Sequence, residues 1–137
     1  MKILFICTGN SYRSPVAEAL LKKIRGDLEV ESAGTQPAGM IAPNAKKFLE
    51  RENALEKLKR TPEGIDQKNL EEYDLIVAMK QNHKNEILRL YPQTEDRIEV
   101  WNIDDPIYLP YGSDEEVFEE IKRKVMELAE SIQDEKV

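Results

Sequence analysis

The chain has 137 residues, one cysteine and a formal net charge of −7 at pH 7. One cysteine excludes an internal disulfide framework and a cysteine-rich zinc site, and the net acidity argues against nucleic-acid partners, which select a basic face. No apolar run is long enough to span a bilayer, and no segment resembles a signal peptide. We therefore expect one soluble, cytoplasmic domain over residues 1–137, with no membrane association.

Apolar runs and amphipathic segments alternate along the chain. Residues 2–7 and 73–79 are near-continuous apolar runs, typical of strands buried on both faces, and shorter strands are predicted at 28–31 and 98–101. Helices are predicted at 15–24, 43–51, 82–90 and 114–132. The highly charged stretch 52–67 is interpreted as a helix followed by a surface loop. This alternation predicts an α/β fold, a doubly wound open parallel sheet of four strands flanked by helices, in the flavodoxin-like order 2-1-3-4.

The turn after the first strand brings together groups that bind anions. Cys7 ends the strand, Arg13 follows after five residues, and Ser14 opens a helix. Ligands bind at the carboxyl ends of strands in such sheets, where loop amides, a helix N-terminus and an arginine each attract an oxyanion. The same surroundings favour a thiolate, so Cys7 is a candidate nucleophile. Gly9 allows a close backbone approach, and Asn10 tolerates a left-handed turn.

Each of these residues also has an ordinary structural interpretation when it is considered alone. Cys7 is then a small core residue, Arg13 a solvated charge, and Asp105 a turn residue before a proline. The glycine-rich nucleotide-binding motifs GxxxxGK[ST] and GxGxxG are absent after the first strand. The combination of thiol, loop and arginine between a strand and a helix makes anion chemistry the stronger interpretation.

The segment from Cys7 to Pro15, Cys-Thr-Gly-Asn-Ser-Tyr-Arg-Ser-Pro, resembles the signature loop of the low-molecular-weight protein tyrosine phosphatases and the related thioredoxin-coupled arsenate reductases. Two further segments extend the resemblance over nearly the whole chain. Ser32-Ala33-Gly34-Thr35 resembles the turn after the second strand of that family, and Asp104-Asp105-Pro106 resembles its late acid loop.

The resemblance implies a phosphatase that works in two steps without a metal or cofactor. Cys7 would attack phosphorus, Arg13 and the amides of the loop would hold the phosphate oxygens, and Asp105 would act as general acid and then as general base. The implied substrate-binding residues are Thr8, Gly9, Asn10, Ser11, Tyr12 and Ser14, with Ser32 as support and Asp104 as the alternative acid. The expected partner of this monomer is a phosphotyrosine protein or a small phosphate ester.

The sequence departs from the family pattern at several positions. Tyr12 stands where the family usually has a second cysteine, and Arg60 aligns with a histidine that supports the loop. His83, the only histidine, is interpreted as a surface or packing residue. With no aromatic residue at 36–41, stacking on a substrate ring is expected from Tyr12, Tyr108 or Tyr111.

Three other functions stay open at this point. An arsenate reductase would need an external thiol, because the chain lacks the two further cysteines of that branch. Ser11 stands where tyrosine phosphatases tend to have a bulky apolar residue. Arsenate reductases often have serine at this position and phosphoarginine phosphatases threonine, so Ser11 also suggests a phosphoarginine phosphatase. A phosphate-binding module without turnover is the third, and unremarkable reactivity of the Cys7 thiol would favour it.

Overall fold

A parallel sheet of four strands forms the centre of the protein, whose computed structural model describes residues 1–133. The strands are β1 (Lys2–Cys7), β2 (Glu29–Gly34), β3 (Leu75–Ala78) and β4 (Ile98–Val100). Their order is β2-β1-β3-β4, and every neighbouring pair is parallel. The predicted fold class and strand order are therefore confirmed.

Helices cover both faces of the sheet. They are α1 (Arg13–Ile24), α2 (Pro43–Arg51), α3 (Gln81–Leu90) and α4 (Asp114–Ser131). Successive side chains of a strand point to opposite faces, and β1 divides accordingly. Ile3, Phe5 and Cys7 belong to the core that includes α1, α2 and α4 residues. Leu4 and Ile6 belong to a second core shared with α3. Burial on both faces explains why β1 is apolar along its length.

The structure departs most from the sequence prediction at the end of β2 and in the stretch 52–67. β2 continues to Gly34, since its last residues pair with β1 as far as Cys7. The helix predicted within 52–67 is wrong, and that stretch contains only short 3-10 turns at Leu55–Lys57 and Ile65–Gln67. Helix α2 ends before it, because Asn53 adopts a left-handed φ of 56° and the following N–H, of Ala54, bonds to the carbonyl of Leu49 at 2.8 Å.

The stretch predicted as a surface loop is also anchored to the body of the protein. Ile65 is buried in the core on the α3 side, and Gly64 pairs with the end of β2 at Gly34. Among residues 1–133, no helix combines the length and apolar character that a membrane crossing requires.

Candidate active site

The predicted site residues meet at the carboxyl end of the sheet. Cys7 is the last residue of β1, Arg13 is the first residue of α1, and the loop of residues 8–12 joins them. A groove of about 930 Å³ opens here, and Cys7, Gly9, Arg13 and Asp105 are among its lining residues. The structure thus brings the predicted nucleophile, anion-binding arginine and acid to one groove.

Backbone hydrogen bonds orient the peptide groups of this loop. Its carbonyls accept N–H groups from the segment between β2 and α2, in the pairs Thr35 to Cys7, Gln36 to Thr8, Ala38 to Gly9 and Ala42 to Ser11, at 2.8–3.0 Å. The carbonyl and N–H of a trans peptide point in opposite directions. The amide N–H groups of the residues after these carbonyls are therefore directed away from that segment, as an oxyanion cradle requires.

The end of β2 needs a glycine because the loop passes directly over it. A Cβ atom on Gly34 would lie 2.4 Å from the carbonyl oxygen of Thr8 and 2.9 Å from the amide nitrogen of Asn10. Both atoms belong to backbone that the hydrogen bonds above hold in place. Gly34 therefore allows the close approach of β2 to the loop.

The side chain of Asn10 stabilises the loop from within. Asn10 is fully buried and adopts a left-handed φ of 51°. Its Nδ2 donates to the hydroxyls of Ser14 and Ser32, each at 2.9 Å, and its Oδ1 accepts from Lys59 Nζ at 2.7 Å and from the Glu63 N–H at 2.8 Å. All four hydrogen-bonding positions of the amide are used, so its orientation is fixed.

Lys59 supports the loop through the side chain of Asn10, and the neighbouring Arg60 does not take part. The Lys59 ammonium contacts Asn10 Oδ1, the carbonyl of Ser32 at 2.8 Å and Glu63 Oε1 at 2.8 Å, and its side chain is 9% exposed. Arg60 is exposed. The sequence did not identify Lys59, because the charged stretch carries no periodic signal that tells which cation turns inward.

The hydroxyl of Ser14 is placed to donate to the thiol. Ser14 Oγ lies 2.9 Å from Cys7 Sγ, and both side chains are buried. Because Ser14 Oγ already accepts an N–H of Asn10, its own proton is available for the sulfur. Ser32 continues the network by donating to the buried carboxylate of Glu18 at 2.5 Å. Glu18 was not among the predicted site residues, although its position in the first helix after the loop was a usable signal.

The guanidinium of Arg13 is held between two elements and faces the acid loop. Arg13 is 4% exposed, and its Nη1 donates to the carbonyl of Ile103 at 2.9 Å. Its Nη2 lies 3.4 Å from Asp105 Oδ2. The neighbouring Asp104 instead pairs with Lys80 at 2.7 Å, and the Lys80 hydrogen bond holds the pKa of this exposed carboxyl below its usual value. Only Asp105 of the two aspartates therefore contacts the arginine.

His83 packs in the interior, which is one of the two alternatives that the sequence left open. It is 1% exposed in the first turn of α3 and bonds through Nε2 to Thr8 Oγ1 at 2.8 Å. Burial, and then repulsion by the nearby Arg13 charge, lowers its pKa from 6.5 to about 4. His83 is therefore a neutral ring at pH 7. Its place after β3, at the edge where ligands bind, was the signal that could have identified it.

Of the three tyrosines considered for stacking on a substrate ring, Tyr12 is largely enclosed. It is 7% exposed, packs edge-on against Phe48, and donates its hydroxyl to the carbonyl of Asp114 at 2.7 Å. Tyr108 and Tyr111 are exposed on the acid loop, and Tyr111 lines the groove. Tyr12 and Tyr111 thus line the groove that contains Cys7, whereas Tyr108 lines a smaller neighbouring groove, and of the two at the main groove only Tyr111 is exposed.

No cluster of three or more histidine, cysteine or acidic residues with metal-binding geometry occurs in the part of the chain described here. The functional groups of the groove are thus a buried thiol, a fixed guanidinium, an oriented loop and a carboxylate. Such a set can bind a tetrahedral oxyanion and present it to the sulfur.

Known proteins are similar to this chain in both sequence and fold. The model of the family described as low molecular weight phosphotyrosine protein phosphatase matches residues 2–137. An arsenate reductase of Halalkalibacterium halodurans is 36% identical, covering 94% of this chain and 95% of that protein. A protein-arginine-phosphatase of Geobacillus stearothermophilus is 33% identical, covering 98% and 97% respectively.

A solved structure is similar as well. It is a cysteine-to-serine mutant of an arginine phosphatase with a phosphorylated active-site serine, and it has a TM-score of 0.86 and 26% identity. The match covers 99% of this chain and 98% of that one. Together, the family match and the relatives over nearly the full length show that the chain belongs to the low molecular weight phosphotyrosine protein phosphatase family.

Proposed function

We propose that this protein is a phosphatase that hydrolyses phosphotyrosine through a phosphocysteine on Cys7. The observation that carries the proposal is that the thiol, the Arg13 guanidinium and the Asp105 carboxylate share one groove. The loop between Cys7 and Arg13 has its carbonyls tied back, which leaves its amides to bind the phosphate oxygens.

In the first step, the Cys7 thiolate attacks phosphorus and forms an S–P bond. The bond between phosphorus and the ester oxygen breaks, and Asp105 transfers its proton to that oxygen. The charge on the transferring phosphoryl group is met by Arg13 and the loop amides. Ser14, 2.9 Å from the sulfur, stabilises the thiolate before attack and again when it departs.

In the second step, water attacks the phosphocysteine. The Asp105 carboxylate takes a proton from this water, the S–P bond breaks, and inorganic phosphate leaves with the thiolate restored. Asp105 fits this role better than Asp104, because it lies 3.4 Å from Arg13 Nη2 while Asp104 is paired with Lys80 outside the groove. The related arginine phosphatase that carries a phosphorylated active-site serine supports covalent transfer to this position.

Phosphotyrosine is the substrate that the rim of the groove supports best. Tyr111 and Ile107 line it from the acid loop, and both are exposed apolar surfaces on which an aryl ring can stack. The one cysteine of the chain argues against arsenate reduction by an internal cysteine relay.

Phosphoarginine is the second candidate. It is favoured by the relative named protein-arginine-phosphatase, with 33% identity over 98% of this chain, and by the small hydroxyl residue Ser11 in the groove. A substrate guanidinium is cationic, and the Asp105 carboxylate at the groove is its natural partner.

Steady-state hydrolysis of matched peptides separates these candidates. One peptide sequence would carry phosphotyrosine, phosphoarginine or phosphoserine, with a thiol-dependent arsenate reduction assay alongside and Cys7→Ser as the blank. We expect the largest Cys7-dependent kcat/KM with phosphotyrosine. Preference for phosphoarginine would transfer the assignment to the second candidate, and arsenate reduction without hydrolysis would refute the phosphatase proposal.

A further inference from the structure

His83 holds a defined tautomer because of its place in α3. The ring nitrogen Nδ1 accepts the backbone N–H of Lys80 at 3.0 Å. In a neutral imidazole the other nitrogen then carries the proton, so Nε2 donates to Thr8 Oγ1 at 2.8 Å. The direction of this hydrogen bond follows from the fold, since the Lys80 N–H cannot act as an acceptor.

The contacts of the Thr8 hydroxyl leave its proton free to be donated. Thr8 Oγ1 lies 2.8 Å from His83 Nε2 and 3.4 Å from Arg13 Nη2, and both of these nitrogens are donors. A hydroxyl oxygen has two acceptor positions and one proton. With both acceptor positions approached by donors, the Thr8 proton has to point to a third atom.

The surroundings of Thr8 indicate where that proton points. Thr8, Arg13 and Asp105 line one smaller groove of about 270 Å³, and Arg13 and Asp105 also line the main groove that contains Cys7. Thr8 lines the smaller groove and not the main one, so the acceptor of its proton would be an oxygen of an Arg13-bound phosphate that faces the smaller groove.

We infer that His83 is a positioning residue for the phosphatase reaction, acting through Thr8. It fixes the Thr8 hydroxyl as a donor directed into the space between Arg13 and Asp105, where a substrate phosphate oxygen accepts its proton. This side-chain donor acts in addition to the amides of the loop. The inference rests on the proposed function, and it assigns a role to a histidine that does not itself touch the substrate.

Two conservative variants separate this role from a structural one. In His83→Asn, the amide oxygen can still accept the Lys80 N–H, but the side chain is too short to reach Thr8. In His83→Gln, the amide nitrogen can occupy the place of Nε2 and donate to Thr8. We expect kcat/KM on an aryl phosphate to fall about tenfold in His83→Asn, as the loss of one oriented hydrogen bond implies, and to stay within about twofold in His83→Gln.

Thr8 variants complete the test. Thr8→Val should show a loss of about the same size, Thr8→Ser should be close to wild type, and His83→Asn should have less than about a twofold effect in the Thr8→Val background. Wild-type rates in His83→Asn, or losses that multiply in the double variant, would overturn the inference. A greater loss in His83→Gln than in His83→Asn would make helix capping the role of His83 instead.

Measuring the binding of inorganic phosphate tests this inference independently of the proposed function. If the wild-type protein shows no Cys7-dependent hydrolysis, the phosphatase proposal fails by itself. Calorimetry with the same variants then still reports on His83. The inference requires weaker phosphate binding in His83→Asn and Thr8→Val, by about tenfold, than in the wild type and His83→Gln. Equal affinities across all four proteins would contradict it.

Discussion

Replacing Lys59 with methionine tests whether the loop depends on a cation that no local pattern identifies. The Lys59 ammonium pairs with Glu63 Oε1 at 2.8 Å, a carboxylate that keeps Lys68 as a second partner. It also donates to two uncharged oxygens, Asn10 Oδ1 at 2.7 Å and the Ser32 carbonyl at 2.8 Å. A hydrogen bond to a charged group contributes about 1.5–3 kcal/mol. Because Asn10 Oδ1 keeps the N–H of Glu63, we expect the free energy of unfolding to fall by about 2–4 kcal/mol rather than by the full sum of both contacts.

The same substitution should slow catalysis because Asn10 holds the loop in a left-handed conformation. Removing one oxyanion donor from an active site costs about 10²–10³ in rate, and a loop that is loosened without losing a donor should cost less. We expect kcat/KM on an aryl phosphate to fall about 10- to 100-fold, which corresponds to about 1.4–2.8 kcal/mol. Urea unfolding and initial rates at pH 7 measure the two effects.

Arg60→Met is the matched control, since it removes the same charge from the adjacent exposed residue. This variant should change the free energy of unfolding by less than about 0.5 kcal/mol and kcat/KM by less than about twofold. Equal effects of Lys59→Met and Arg60→Met would refute the reasoning, because the loss would then follow net charge. A larger effect of Arg60→Met would show that Arg60, and not Lys59, supports the loop.

Three further predictions concern the nucleophile, the acid and the buried histidine. Cys7→Ser should abolish turnover of an aryl phosphate while phosphate still binds by calorimetry. Asp105→Asn should slow esters with poor leaving groups far more than activated esters, and equal slowing of both in a series of aryl phosphates would remove Asp105 as the acid. The pKa of His83 is lowered to about 4, so between pH 6.5 and pH 4 the unfolded chain takes up a proton that the folded protein does not. The free energy of unfolding of the wild type should therefore fall over this range, and urea unfolding should show a smaller fall in His83→Gln.

The features that the sequence predicts well depend on neighbouring residues. The apolar run of β1 follows from burial on both faces, and Cys7, Arg13 and the turn between them form one continuous segment. The strand order could also be predicted, because a chain in which strands and helices alternate can form only a few arrangements of a parallel sheet. The end of β2 was predicted too early, since Ser32, Ala33 and Gly34 read as a turn while their pairing with β1 is visible only in three dimensions.

Apart from Glu18, which follows the loop directly, the residues that the sequence missed contact the site from far along the chain. Lys59 contacts Asn10 across 49 positions, and His83 contacts Thr8 across 75. Within a stretch as charged as 52–67, nothing in the sequence distinguishes Lys59 from Lys57 or Arg60, and only the folded chain shows that Lys59 turns inward. A single sequence does not show how the chain runs between two residues so far apart.

Several separate elements hold the loop, and this has a consequence for Cys7. The β2–α2 segment binds the carbonyls of the loop, Lys59 and Glu63 bind Asn10, and Tyr12 ties the start of α1 to α4 through the Asp114 carbonyl. Cys7 is the one cysteine of the chain. An oxidised Cys7 thus has no partner for an internal disulfide, and its protection depends on burial, with 2% of the residue exposed.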